Sequence, residues 1–167
     1  LGSVALALLI GVPLGLVAGF AGGRIDSVIM RIADVQLTFP AILVVVMIDG
    51  VVRAALGTGA HDRLAVWTLI LAIGLSGWVQ YARTVRGAAM VEKRRDYVQA
   101  AQLLGLSSAS VLVRHILPNV LTSVLVLATV HLAVAIILEA TLSFVGLGIP
   151  PTQPSLGTLI RVGSAFL

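Results

Sequence analysis

The sequence holds few side chains that could do chemistry, and their spacing matches no catalytic centre. The three histidines, His61, His115 and His131, lie too far apart in the chain to predict a shared metal ion. There is no cysteine, which excludes a disulfide framework, a thiolate metal site and a cysteine nucleophile. No serine has a histidine or lysine partner at helical spacing, and no carboxylates form a central pair. We therefore expect a chain without catalytic activity.

No stretch of the sequence matches a phosphate-binding loop of the Walker type either. The glycine-rich runs Gly19-Phe-Ala-Gly22 and Gly57-Thr-Gly59 do not continue to the Gly-Lys-Ser/Thr that grips a nucleotide. The sequence therefore predicts no nucleotide, metal or other cofactor bound by this chain.

The composition is that of a membrane protein. Apolar residues make up 59% of the 167 residues and charged residues 11%, whereas a soluble domain has roughly 25% charged residues. The 11 Lys and Arg exceed the 7 Asp and Glu, which in a soluble chain would suggest nucleic acid. Here the basic residues lie between apolar stretches, so they are interpreted as topology signals and no nucleic-acid partner is expected.

Four segments are predicted to cross the bilayer, because a helix needs about 20 mostly apolar residues to span roughly 30 Å of hydrocarbon. They are residues 1–20, 36–56, 64–81 and 120–144. The first residue is Leu1, without a basic region after it, so this segment is interpreted as a span and the chain as a fragment. A further apolar segment begins after Arg161. We expect an all-α polytopic helical bundle, with four to five spans in one transmembrane domain over residues 1–167.

The basic residues predict the orientation of these spans. Eight of the 11 Lys and Arg follow the first or the third span, and cytoplasmic loops are enriched in these residues. Residues 22–35 and 84–119 are therefore assigned to the cytoplasm. Residues 57–63 and the tail from Gly146 are assigned to the outside. The tail contains three prolines and is expected to be a binding-protein landing surface, a plug or a connector; these prolines are Pro150, Pro151 and Pro154.

Small residues and prolines predict how the first two spans pack. Glycine recurs at every fourth position in the first span, a spacing that lets two helix backbones approach closely in lipid. The glycines concerned are Gly11, Gly15, Gly19 and Gly23. Pro13 and Pro40 are expected to kink or begin their helices, since each lacks a backbone donor.

Three ionisable residues within the spans are candidates for the translocation pathway or its gate: Asp49, His131 and Glu139. Arg53 follows Asp49 by four residues, so the favoured interpretation of Asp49 is an ion pair on one helix face. Glu139 follows His131 by eight residues on roughly the same side. It could line the pathway or brace an outer gate, although structural hydrogen bonding is favoured.

The loop between the third and fourth spans carries the strongest pattern. Residues 95–104 are predicted to form a short helix with an apolar face of spacing i, i+3, i+4, i+7. That face consists of Tyr97, Ala100, Ala101 and Leu104. Gly105 is expected to stop the helix, and Ser107 or Ser108 to cap a second helix over 109–117 that ends at Pro118. Periodicity alone equally allows a basic hairpin lying on anionic lipid headgroups, or a loop whose charges only set topology.

A resemblance favours a functional interpretation of this loop. The run from Tyr97 to Gly105, followed by Ile116-Leu-Pro118, resembles the EAA loop of ATP-binding cassette (ABC) importer permeases, E-A-A-x-x-x-G and then I-x-L-P. Gln99 takes the place of the family's usual glutamate, with Ala100 and Ala101 following it. The segments around Gly11, Asp34 and Glu139 resemble the second permease subunit of dipeptide and oligopeptide importers, over nearly the whole chain.

The resemblance implies a subunit of a heteromeric importer in the bacterial inner membrane. It implies a second permease subunit, two cytoplasmic ATPases that bind ATP and Mg²⁺, and an external peptide-binding protein. The helix over 95–104 is expected to insert into a groove of an ATPase. The residues expected to serve this coupling are Arg94, Arg95, Tyr97, Gln99, Ala100, Ala101, Leu104, Gly105, Leu117 and Pro118. The alternatives are a nickel or other small-solute importer of the same family and, in another class, an ion-coupled secondary transporter.

Overall fold

The computed structural model describes residues 1–149, 153 and 155–164, apart from the side chains of residues 58–63. Pro150, Pro151 and Pro154 of the predicted outer tail lie outside the described residues, as do residues 165–167 of the possible further span. Within the described part, regular secondary structure is helical throughout. The all-α prediction is therefore confirmed.

The helices follow one another closely along the chain. They are α1 (Gly2–Ala21), α2 (Gly23–Leu37), α3 (Ala41–Leu56), α4 (Thr58–Glu92), α5 (Asp96–Leu103), α6 (Ser108–Val111), a π-helical turn (Leu112–Ile116), α7 (Leu117–Val145) and α8 (Leu156–Ser164). Three helical segments among the described residues are long and apolar enough to cross a membrane: Gly2–Ala21, Leu64–Glu92 and Ser108–Val145. A fourth span exists if α2 and α3 are counted together. The chain is thus a multi-pass membrane protein.

The predicted second span, residues 36–56, is wrong at its start. The chain is helical up to Leu37 and again from Ala41, with Pro40 immediately before α3. Proline has no amide hydrogen to donate and disfavours helix in the residue before it, so the break falls at this point. The prediction that Pro40 begins a helix is confirmed, whereas Pro13 lies inside α1, which continues through it.

The predicted third span, residues 64–81, is too short. The helix continues without interruption to Glu92, so the first part of the predicted cytoplasmic loop is helical. Leu64–Glu92 has 29 residues, which at about 1.5 Å per residue is longer than the roughly 30 Å of hydrocarbon. Arg83 and Arg86 do not end the helix, because arginine is a good helix former. Both contact carboxylates on α2. The end of α4 therefore extends beyond a bilayer.

The prediction that Pro118 ends a helix is also wrong. Pro118 is the second residue of α7, and α6, the π turn and α7 run on as one helical segment. In the π turn the amide of Leu117 donates to the carbonyl of Leu112, five residues back. Such a widened turn makes room for a proline ring, which in a regular α-helix collides with the carbonyl four residues earlier.

The described chain divides into two compact units. One comprises Leu1–Leu6, Phe39–Gly77 and Val130–Leu167, and the other Ala7–Thr38 and Trp78–Thr129. The second unit has a core in which Ala33, Trp78, Val79 and Ala82 are buried. The indole of Trp78 donates a hydrogen bond to the side-chain oxygen of Gln36, 2.7 Å away.

The glycine stripe of α1 packs as predicted at three of its four positions. A Cβ on Gly11 would collide with the backbone of Trp78, one on Gly15 would lie 2.8 Å from Cβ of Val85, and one on Gly19 2.9 Å from Cβ of Ala89. Gly23 has open space around it and a φ of 54°, and it begins α2. The close contact of α1 with α4 in this unit therefore depends on Gly11, Gly15 and Gly19.

In the first unit, glycines again lie where neighbouring helices come too close for a larger side chain. A Cβ on Gly77 would overlap the imidazole of His131, and one on Gly74 would lie 2.8 Å from Leu6. A Cβ on Gly157 would collide with the carbonyl of Ala140. The absence of a side chain at Gly157 therefore lets α8 pack directly against α7. Small residues thus set helix spacing in both units.

Candidate coupling site

The short helix predicted in the loop exists, and its C-terminal end is capped. Arg95 is extended and precedes α5, and Leu104 follows its last residue. Gly105 has a φ of 81°; its amide donates to Gln102, and the amide of Leu106 donates to Ala101. This pair of bonds is a Schellman motif, which satisfies carbonyls at the helix end and requires the left-handed backbone that glycine adopts most easily. The prediction that Gly105 stops the helix is confirmed.

The next turn also follows the prediction. The hydroxyl of Ser107 accepts a hydrogen bond from the amide of Ser110, 3.3 Å away, and α6 begins at Ser108. Of the two serines predicted as the cap, the structure selects Ser107. Helix α5 is therefore bounded by a defined turn at Gly105 and a capped helix after it.

The predicted apolar face of α5 is divided between the interior and solvent. Ala101 is only 5% exposed and Val98 is fully buried, so both pack against this chain. Ala100 is exposed, Tyr97 is 40% exposed, and Leu104 is 82% exposed. Ala101 therefore holds α5 in place within the subunit, while Ala100 and Leu104 remain available at its surface.

Tyr97 lies at a junction of three helical elements. Its hydroxyl donates to Oε2 of Glu92 at the end of α4, 2.5 Å away, and accepts from Nδ2 of Asn119 in α7, 3.0 Å away. The ring lies 6.4 Å from that of His115 in the π turn, in a stacked arrangement. Nδ2 of Asn119 also donates to the carbonyl of His115, 2.7 Å away. We call Glu92, Tyr97, His115 and Asn119 the tyrosine junction.

Charge strengthens this junction. Nε of Arg95 lies 3.7 Å from the other oxygen of Glu92. The hydrogen bond from Tyr97 to the Glu92 carboxylate raises the pKa of the phenol above its usual value, with burial as a smaller contribution. The phenol is therefore protonated at physiological pH and able to donate. Hydrogen bonds to an ionised acceptor are stronger than those between neutral groups.

A cleft of about 620 Å³ lies beside α5, at the ends of α1 and α4. Its polar lining is two cations and two amides, Lys93, Arg94, Gln99 and Gln102. Nζ of Lys93 donates to the carbonyl of Phe20 at the end of α1, and Nε2 of Gln99 donates to the carbonyl of Arg94. The cleft carries positive charge, and no carboxylate lines it among the described residues. Its chemistry suits an acidic partner group.

Two ion pairs hold α2 against α4 in the same unit. Arg86 forms a two-pronged contact with Asp26, with nitrogen–oxygen distances of 2.5 and 2.6 Å, and Arg83 contacts Asp34 at 2.5 Å. The Arg86 pair is the more enclosed, with Asp26 only 15% exposed. These contacts place the basic stretches after the first and third spans side by side, as the predicted topology requires.

Leu117 and Pro118, the last predicted coupling residues, lie in the first turn of α7. Leu117 is half-buried and Pro118 exposed. They follow the π turn directly, one residue before Asn119 of the tyrosine junction. Their predicted coupling role stays a prediction.

In the first unit, Glu139 accepts a hydrogen bond from its own helix and lines a cavity. Its carboxylate accepts from the hydroxyl of Ser143, 2.7 Å away, and that hydroxyl in turn accepts from the amide of Ile149. The cavity measures about 300 Å³, and Glu139 supplies its only charged side chain among the described residues. The favoured interpretation of Glu139 as a hydrogen-bonding residue agrees with these bonds.

Asp49 and His131 are both buried in this unit, at 3% and 4% exposure. His131 packs against Gly77. The predicted ion pair between Asp49 and Arg53 and the pathway role of His131 stay predictions.

Three members of the tyrosine junction were not predicted as site residues from the sequence: Glu92, His115 and Asn119. The sequence contains only a weak indication of their role. Each is polar in a run of basic or apolar residues at the edge of the loop, and Asn119 directly follows the Pro118 of the motif. These residues come together because α4 and α7 pack on either side of Tyr97. The spacing of residues along the chain does not predict that packing.

The comparisons with known proteins identify the class. The profile of the family described as binding-protein-dependent transport system inner membrane component matches residues 11–167, and the chain belongs to this family. It is 40% identical over 158 residues, 95% of the chain, to the oligopeptide transport system permease protein OppC of Bacillus subtilis (strain 168), of which it covers 48%. It is 38% identical to the dipeptide transport system permease protein DppC of Lactococcus lactis subsp. cremoris (strain MG1363), over 96% of the chain and 44% of that protein.

A third relative has a different name but similar overlap. The glutathione transport system permease protein GsiD of Pectobacterium atrosepticum is 35% identical over 95% of the chain and 50% of its own length. The chain spans about half the length of the curated relatives it matches. The predicted resemblance to permeases of the dipeptide and oligopeptide branch is confirmed.

Proposed function

We propose that this chain belongs to the transmembrane permease subunit of an ABC importer for peptides in the bacterial inner membrane. The chain itself is non-catalytic and binds no cofactor. ATP and Mg²⁺ bind two cytoplasmic ATPase subunits, and an external binding protein delivers the substrate to this subunit and a second permease. The observation that carries the proposal is a short helix with a capped C-terminal end beside a cationic cleft, in a chain whose relatives are named as peptide permeases.

Helix α5 is the proposed contact with the ATPase. Rigid transmission requires a helix that is fixed at one face and open at the other, and α5 has both properties. Val98 and Ala101 fix it to the subunit, while Ala100 and Leu104 form the open face. An apolar helix face that enters a groove of a partner is a common mode of recognition. Arg94 and the amide of Gln99 add polar groups at its edge, where the family's usual glutamate is absent.

The direct test is copurification followed by transport. The full-length protein is expressed with the genes next to its own and purified in mild detergent, and the complex is reconstituted in liposomes with its binding protein. We expect an ATPase to copurify and labelled peptides of two to eight residues to accumulate inside when ATP is present. Glutathione and a nickel chelate serve as competitors. A protein that purifies without an ATPase, and transports when only an ion gradient is supplied, contradicts the proposal.

A further inference from the structure

We propose that Tyr97 is a positioning residue that ties the movement of α5 to α4 and α7 through its hydroxyl group. The inference rests on the proposed function, because it assigns a role within coupling between the ATPase and the spans. The proposal depends on the tyrosine junction, in which one hydroxyl contacts both the end of α4 and the beginning of α7. From the sequence, Tyr97 was expected to serve the contact with the ATPase; the geometry instead turns its hydroxyl toward its own subunit.

The hydrogen-bond count of the hydroxyl supports this assignment. A phenol donates one hydrogen and accepts others. The short bond to Glu92 uses the donor, and the bond from Asn119 uses an acceptor position. The carbonyl of His115 lies 3.4 Å from the hydroxyl, a longer contact. Both principal bonds therefore connect α5 to other helical elements, and neither closes within α5.

The backbone also connects α5 to its neighbours, but it does so differently from the Tyr97 hydroxyl. On one side residues 93–95 join it to α4, and on the other Gly105 makes a turn with positive φ before α6 begins. Both connections are hydrogen-bonded turns, and each reaches only one neighbouring helical element. The hydroxyl bridges α4 and α7 directly, so a displacement of α5 is passed to both helices together.

The π turn supplies the carbonyl of His115 on the far side of the junction, and the first turn of α7 supplies the donor Asn119. Pro118 has no amide hydrogen, so the ordinary helical pattern is interrupted where the turn meets α7. The carbonyl of His115 is bonded by the side chain of Asn119, whose amide nitrogen also reaches Tyr97. π-helical turns recur at functional sites, and here the turn orients Asn119 toward α5.

The first measurement is hydrogen exchange in the full-length permease complex. Tyr97→Phe keeps the ring beside His115 and removes only the hydroxyl. We expect the amides of α5 to exchange about 3- to 10-fold faster, as the net contribution of one solvent-exposed hydrogen bond predicts. Glu92→Ala is expected to speed exchange of α5 by a similar factor. Because both changes remove the same hydrogen bond, the double variant should speed exchange by less than the product of the two factors. Thr129→Val is the matched control, because the hydroxyl it removes bonds to a carbonyl of the same helix.

The second measurement is peptide transported per ATP hydrolysed, in liposomes with a tryptic digest of casein as the peptide source. For Tyr97→Phe we expect normal assembly and ATP hydrolysis, and a ratio lowered by about 3-fold or more. Glu92→Gln, which keeps an acceptor oxygen, is expected to retain most of the ratio. A structural defect alone would instead reduce assembly and both rates in proportion.

The outcomes separate the two proposals. If no ATPase copurifies with the wild-type protein, the proposed function fails and the positioning role fails with it. If the complex assembles and transports, but Tyr97→Phe leaves exchange of α5 and the transport ratio unchanged, the positioning role alone is overturned. Faster exchange together with an unchanged ratio also overturns it.

Discussion

Gly105 illustrates how one residue sets the position of the proposed coupling helix. Its backbone has a φ of 81°, and the two amides at and after it close the end of α5. A residue with a Cβ pays roughly 1–2 kcal/mol to adopt this conformation. The sequence motif contains a glycine at this point because the chain must turn there within one residue.

We expect Gly105→Ala to destabilise the end of α5 by roughly 1 kcal/mol, since alanine resists positive φ. Hydrogen exchange of residues 100–106 in the full-length protein measures this. Gly87→Ala is the control, because Gly87 lies inside α4 with open space around it and alanine favours helix. Equal exchange in the two variants would show that the conformation of Gly105 does not hold the turn.

At the level of whole helices, the contact between α1 and α4 is the one most sensitive to side-chain volume. Within the second unit, Gly11, Gly15 and Gly19 bring the backbones together, with no room for a Cβ at any of the three. Hydrophobic burial contributes little between helices in lipid, so close packing of this kind is a main source of their association.

We expect Gly15→Leu to lower the yield of folded protein and its Tm in detergent by several degrees, because overpacking costs typically about 1–3 kcal/mol. Gly50→Leu makes the same change at a helical position with nothing within 4 Å, and we expect it to leave the Tm nearly unchanged. Fluorescence-detected size-exclusion chromatography after heating gives both values. Matching melting curves for the two variants would contradict close packing at Gly15.

The same elements show what the sequence could and could not predict. Composition and apolar length gave the all-α membrane class, and local signals gave α5, the Gly105 stop and the Ser107 cap. These succeed because capping and glycine turns are decided within a few residues. The errors concern helix ends. The apolar stretch ends before α4 does, because arginine favours helix and α4 continues through Arg83 and Arg86. The helix also passes Pro118, because the π turn accommodates its ring.

The site was predictable to a similar extent. The motif located the loop and identified Tyr97, Ala101 and Leu104, but helical spacing placed them on one face. In the structure Ala101 is buried by its own chain and Leu104 is exposed. The difference arises because α5 packs through Val98 and Ala101. The positions of the neighbouring helices decide which face is buried, and periodicity alone does not predict them.

In the molecule as a whole, the proposed coupling site and the cavity beside Glu139 lie in different compact units. In the second unit, α1, α4 and α7 meet at Lys93 and the tyrosine junction, where α5 presents its open face. The other unit holds the cavity beside Glu139. In the proposed importer, force from the ATPases enters this chain at the region of α5.

The central claim is that the open face of α5 touches an ATPase, and site-specific crosslinking tests it most directly. The chain has no cysteine, so Leu104→Cys introduces a unique site in it at a residue that is 82% exposed. In the assembled full-length complex, a short bifunctional thiol-to-amine reagent should join this cysteine to the ATPase subunit. Val98→Cys, which is fully buried on the opposite side, should not crosslink. Efficient labelling of Leu104→Cys by a small soluble thiol reagent, with no ATPase adduct in an active complex, would contradict the account.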